Sequence, residues 1–138
     1  MSVPRVVFDT NIFLSAFTFG GKPKVVFEMA RAGRIQLIVS APVLAELASI
    51  LKGKFGWDDE DVREALMIVG RHADLFKPGI RLRVLEDDAD NRVLECAVEG
   101  RAEWILSGDH HLLGLREFRG IQIVRVAEFL SKLGEHGT

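Results

Sequence analysis

The chain has 138 residues, 48% of them apolar and 28% charged, with a formal net charge of -2. That composition excludes a disordered segment, and the length suits one compact domain spanning residues 1–138. A single cysteine (Cys96) permits no internal disulfide, no run approaches the roughly 20 apolar residues of a membrane helix, and the first residues lack a signal-peptide core, so a cytoplasmic setting with no membrane partner is expected.

Taken in chain order, Arg5-Val6-Val7-Phe8 is β-branched and aromatic and stops at Asp9, which predicts a buried strand. Val25, Val26, Met29 and Ala30 recur at helical spacing, with Gly33 placed as a C-terminal cap. Leu37-Ile38-Val39 reads as a second strand, and Ser40-Ala41-Pro42 as the start of a helix whose apolar stripe is Val43, Leu44, Leu47, Ile50 and Leu51. Residues 58–72 predict a further helix with Val62, Leu66 and Val69 inward, followed by a short strand around Leu82–Val84. A helix is expected from near Asp90 to Gly100, a strand at Trp104–Leu106, a short helical turn after Asp109, a last strand at Ile121–Val124 and a closing helix carrying Phe129, Leu130 and Leu133. Short apolar strands alternating with helices define the α/β class, with a parallel sheet covered on both faces.

Four acids stand out against this frame. Ligands of open parallel sheets bind at the carboxyl ends of the strands. Asp9 ends the first strand, Asp109 follows the strand at Trp104–Leu106, and Asp90 opens a helix on the same expected rim. Glu46 lies within a helix at the edge of its apolar stripe, about 40° beyond Ile50 at 100° per residue. Singly, the three aspartates read as helix N-caps and Glu46 as a solvated helix residue. Converging on one rim, they repel one another and call for a hard cation. All-oxygen ligands without His or Cys at metal spacing favour Mg²⁺ or Mn²⁺ over Zn²⁺. Such an ion suits phosphoryl chemistry. Asp87-Asp88 reads as an exposed turn, His111 as a surface residue, and Phe13, Phe17, Trp57 and Trp104 as core.

In this pattern the chain resembles the PIN-domain family, and within it the VapC-like toxins of toxin–antitoxin pairs. Val6-Val7-Phe8-Asp9-Thr10-Asn11-Ile12-Phe13 is similar to the family's opening hhhDTNhh motif, and Val43-Leu44-Ala45-Glu46-Leu47 to its second acidic motif. The Asp90-Asn91 helix and Ile105-Leu106-Ser107-Gly108-Asp109 resemble its third and fourth motifs. The resemblance implies a three-layer α/β/α sandwich with a central, mainly parallel five-stranded sheet. It further implies Mg²⁺- or Mn²⁺-dependent endonucleolytic cleavage of single-stranded RNA, with Asp9, Glu46, Asp90 and Asp109 as catalytic metal ligands and Asn11 and Ser107 orienting them. A small antitoxin and a homodimer are the partners it implies. Where relatives often carry Lys or Arg after the last acid, this chain has His110. Lys22, Lys24, Arg31, Arg34, Lys52 and Lys54 are basic residues available for an RNA track, although scattered charges are usually only a solvated face.

Two other functions fit parts of the pattern. An aspartate-nucleophile phosphohydrolase would use Asp9, but its general acid is expected at position 11, where Asn11 stands. A catalytically degenerate domain binding RNA or protein would keep the fold without turnover.

Overall fold

In the computed structural model, which describes residues 3–136, three apolar segments form adjoining strands: β1 (Arg5–Phe8), β2 (Gln36–Ser40) and β4 (Trp104–Leu106). Val6, Val7, Phe8, Leu37, Ile38, Ile105 and Leu106 are all fully buried, as strands covered on both faces require. The sheet order is β3-β2-β1-β4-β6-β5, where β3 is Ala73–Phe76, β5 is Glu117–Phe118 and β6 is Ile121–Val124. Every pairing is parallel except β5 with β6.

Helices α1 (Thr10–Thr18) and α2 (Gly21–Arg31) join β1 to β2, and α3 (Ala41–Gly53) and α4 (Asp59–Arg71) join β2 to β3. The chain then returns through α5 (Asp88–Glu99) to β4, and through α6 (His110–Leu115) and the β5–β6 hairpin to α7 (Val126–His136). Parallel crossovers are right-handed. The steps outward from β1 therefore place their helices on one face and the return to β4 places α5 on the other, giving the α/β/α sandwich. The order reverses between β1 and β4, the switch point where such sheets open a crevice.

Local chemistry explains most boundaries. Ser40 caps α3 by accepting a hydrogen bond from Val43 N, with Pro42 in the first turn. Gly33, at φ 76°, follows α2 in a Schellman arrangement in which Gly33 N bonds Ala30 O and Arg34 N bonds Met29 O. Asp58 caps α4 through Asp61 N.

Several expectations are corrected. The sheet has six strands, not five. The extra one is the two-residue β5, folded onto β6 by Arg119 and Gly120, both at positive φ (51° and 84°) as a tight hairpin turn demands. No strand forms around Leu82–Val84, because Leu82, Val84 and Leu85 give their N–H groups to side chains of α5 instead of to a neighbouring strand. The edge strand is Ala73–Phe76, where Leu75 is exposed. Helix α5 starts at Asp88, with Asp87 as its N-cap, so Asp90 lies inside the first turn. Helix α1 was not marked by periodicity, since Ile12, Phe13, Leu14 and Ala16 bury most of its circumference and leave no polar stripe to set the phase.

Gly100, the C-cap of α5, sits against Ile38. A Cβ there would overlap Ile38 Cγ2, and the Gly100 carbonyl already accepts Arg5 Nε and Nη2 at 3.1 and 2.8 Å. Gly100→Ala is expected to lower stability by about 1–3 kcal/mol in denaturant unfolding, an overpacking cost. Gly70→Ala, in open space on α4, should instead stabilise by about 0.5–1 kcal/mol through helix propensity. Equal effects at the two positions would refute the packing argument.

Candidate metal centre

The β1–β4 register pairs Phe8 with Leu106, which sets the next residues, Asp9 and Ser107, side by side at the carboxyl rim. The ladder continues past the strand ends, with Asp9 N bonding Leu106 O and Ser107 N bonding Val124 O. Ser107 Oγ donates to Asp9 Oδ2 at 2.6 Å and accepts from Asp109 N at 2.9 Å. One buried hydroxyl thus spans two of the acids. Asp9 Oδ1 accepts the main-chain N–H of Asn11 at 2.7 Å and caps α1. The Asn11 side chain is exposed and forms no hydrogen bond among the described residues. Its tie to Asp9 is through the backbone.

Asp109 caps α6 by accepting His111 N at 2.7 Å. Asp90 projects from the first turn of α5 and is buried, and its Oδ2 has no hydrogen-bond partner. Glu46 is half-buried on α3, six residues past the cap at Ser40 and so about 9 Å along the helix.

These carboxylates feel one another. Burial pushes Asp90 up to about 7, reinforced by the nearby charges of Asp109, Asp87 and Asp9, and by Asp109 as a hydrogen-bond neighbour that favours the protonated form. Asp9 is raised by burial, opposed by its hydrogen bonds from Ser107 and Asn11. Glu46 is raised by burial, then by Asp87 and Asp9. Asp9, Glu46, Asp90 and Asp109 therefore share one electrostatic field. They do not collapse into a tight knot: among the described residues, the one trio of ligand atoms within 4.8 Å of each other is Asp109, His110 and His111. His110 and His111 are both exposed.

Asp87 is the residue that sequence reasoning passed over. Read as part of an exposed turn, it is exposed, yet its charge acts on Asp9, Glu46 and Asp90. The signal was its spacing: a cap at Asp87 and a first-turn residue at Asp90 lie three positions apart and share a side of the helix.

The donor set fits a hard divalent ion. It is all oxygen and includes a buried carboxylate oxygen with no partner. Asp9, Glu46, Asp90 and Asp109, which feel one another's charge, are the residues that could hold such an ion.

A family model described as the PIN domain matches residues 5–111. The chain belongs to the PIN-domain family. No curated protein matches the sequence at a significant level. Among solved structures, the fold is similar to a chain in the crystal structure of VapBC2 from Rickettsia felis bound to a DNA fragment from their promoter. That match has 16% identity and a TM-score of 0.63, and covers 86% of this chain and 96% of that one. None of the described helices is long and apolar enough to cross a membrane.

Asp90 sets a pH-dependent cost on the metal-free fold. Its folded value of about 7 lies above the ordinary 3.8, so its contribution is fully favourable below about pH 4 and is lost as pH rises through about 7. Asp90→Asn should be more stable than the metal-free parent by about 1–3 kcal/mol at about pH 8, with the gap closing toward about pH 4. Thermal unfolding across that range checks this, and a pH-independent gap would contradict it.

Proposed function

We propose that the chain is a Mg²⁺- or Mn²⁺-dependent endoribonuclease that cleaves single-stranded RNA and serves as the toxin of a toxin–antitoxin pair. The observation carrying this reading is the buried carboxylate of Asp90, whose Oδ2 has no hydrogen-bond partner, set beside Asp9 and Asp109 at the switch point of a PIN-family sheet. Likeness to a VapBC2 chain supports the toxin assignment and a small antitoxin as partner. A homodimer is the assembly that the VapC resemblance implies.

In this reading Asp9, Asp90 and Asp109 hold the ion, and Glu46 joins them directly or through water. When bound, the ion supplies Lewis acidity toward a phosphodiester and a coordinated water of lowered pKa. The chain's own contribution is to present charge in fixed positions. Ser107 favours the ionised form of Asp9 by donating to Oδ2, against the upward push of burial, and orients Asp109 by accepting its N–H. Asp90 would have to give up its proton to hold a cation, so binding should weaken below about pH 7. The carboxylates repel substrate phosphate until that charge is neutralised.

The nucleophile alternative fits less well. Its general acid is missing: Asn11 stands at position 11, and an amide cannot supply an acidic proton.

Purified protein should cleave an unstructured RNA in Mn²⁺ and lose that activity in EDTA. Asp9→Asn and Asp90→Asn should each lose about a hundredfold or more, the scale of several kcal/mol of charge stabilisation. Ser107→Ala should lower activity or Mn²⁺ affinity by about 10–100-fold while leaving the fold intact. Cleavage that survives both chelation and Asp9→Asn would sink the proposal.

A further inference from the structure

The segment between β3 and α5 has no regular secondary structure, yet it is firmly held. Glu95 Oε2 accepts Leu82 N at 2.8 Å, and Asn91 Oδ1 accepts Val84 N and Leu85 N at 3.1 and 2.8 Å. Asn91 Nδ2 donates to Leu85 O at 2.8 Å, and Arg92, paired with Glu95 at 2.9 Å, reaches Leu82 O. Asn91 and Glu95 are buried polar side chains on the flank of α5. They replace the partner strand that residues 82–85 lack.

This anchoring fixes an alternation. Pro78, Ile80 and Leu82 are half-buried, whereas Lys77, Gly79, Arg81 and Arg83 are exposed, so all three cations reach solvent from the strap. Arg81 and Arg83 are two residues apart and Lys77 is four residues before Arg81, so the chain lets them stand at most about 7 and 14 Å apart. None of the three forms an ion pair among the described residues. The strap leads into the acids: four residues after Arg83 comes Asp87, and Val84 and Leu85 are tied to the residue next to Asp90.

Arg31, Arg34, Arg71 and Lys52 are less well placed. Arg31 and Arg71 line a cavity with Gln36, Ala73 and Asp74 at the amino ends of β2 and β3, and Arg34 lies just before β2. That is the rim opposite the acids. Arg31 is paired with Glu28, and Lys52 with Asp59 near the far end of α3. With a net charge of -2 and a carboxylate cluster at the centre, the molecule offers phosphate no general attraction. A polyanionic substrate needs local cations beside the acids.

We propose that the strap of residues 77–86 is the single-stranded RNA track, with Lys77, Arg81 and Arg83 contacting backbone phosphates on the approach to the metal centre. Asn91 and Glu95 act as positioning residues that hold the strap. This rests on the ribonuclease reading and extends it to how substrate is held. The contacts are to backbone phosphate and favour no base sequence.

The test compares two triple variants of equal charge change. One is Lys77→Ser/Arg81→Ser/Arg83→Ser on the strap, and the other is Arg31→Ser/Arg34→Ser/Arg71→Ser on the opposite rim. Binding of a fluorescein-labelled, unstructured RNA is read by anisotropy in Ca²⁺ over a range of salt concentrations, with circular dichroism as the folding control. The strap variant should bind about tenfold or more weakly, and its log Kd against log salt slope should fall by about 2, near 0.7 for each lost single-strand phosphate contact. The opposite-rim variant should match the parent. If the strap variant retains the parent's affinity and slope, or both triples weaken alike, the track is overturned while the ribonuclease reading stands. A parent that neither binds RNA in Ca²⁺ nor cleaves it in Mn²⁺ overturns the ribonuclease reading as well.

Discussion

A single hydroxyl joins the two strand ends on which the candidate site is built. Ser107 Oγ lies between Asp9 Oδ2 and Asp109 N because β1 and β4 pair in parallel with Phe8 opposite Leu106. That register is itself imposed by burial: Val6, Val7, Phe8, Ile105 and Leu106 are fully enclosed, and a one-residue slip would turn Asp9 away from Ser107 and reverse every side chain of the strand. Burial carries a cost, since it raises the carboxyl groups of Asp9 and Asp90 above their ordinary range. Hydrogen bonds offset this at Asp9. At Asp90 nothing does, and that residue is where the fold stores its unfavourable electrostatics.

Helix α5 organises the other side of the rim. Its apolar residues Val93, Leu94, Cys96 and Ala97 are buried. Its N-terminal turn carries Asp87 and Asp90, and its polar flank of Asn91, Arg92 and Glu95 fastens the preceding strap. One helix therefore fixes both the acid cluster and the basic strap beside it. Opposite charges are kept close without pairing, because Lys77, Arg81 and Arg83 face outward while Asp90 is enclosed.

Much of this was legible in the residues alone. Strands buried on both faces announce themselves as uninterrupted apolar runs, and β1, β2 and β4 were found that way, while β6 was read from Ile121-Gln122-Ile123-Val124 with its one exposed polar residue. The aspartates at strand ends could be placed on one rim because parallel connectivity puts every carboxyl end on the same edge. The failures have physical causes. Helix α1 is apolar on most sides, so no period marked it. The two-residue β5 exists through a turn with two positive φ values, which includes the non-glycine Arg119. Leu82–Val84 has a strand's alternation, but its hydrogen bonds go to side chains thirteen and seven residues onward, partners no local pattern reveals. Asp87 looked like a solvated charge because exposure and electrostatic reach are separate properties. The strap's cations were overlooked for a related reason: without the anchors on α5, an isolated Lys or Arg has no defined direction.

The account turns on a divalent ion at the β1–β4 switch point. Anomalous diffraction from a crystal soaked in Mn²⁺ addresses this most directly. The expected result is an anomalous peak coordinated by carboxylate oxygens of Asp9 and Asp90, with Asp109 bound directly or through water. Ordered Mn²⁺ found only on Asp109, His110 and His111, with Asp9 and Asp90 left without a ligand, would contradict it.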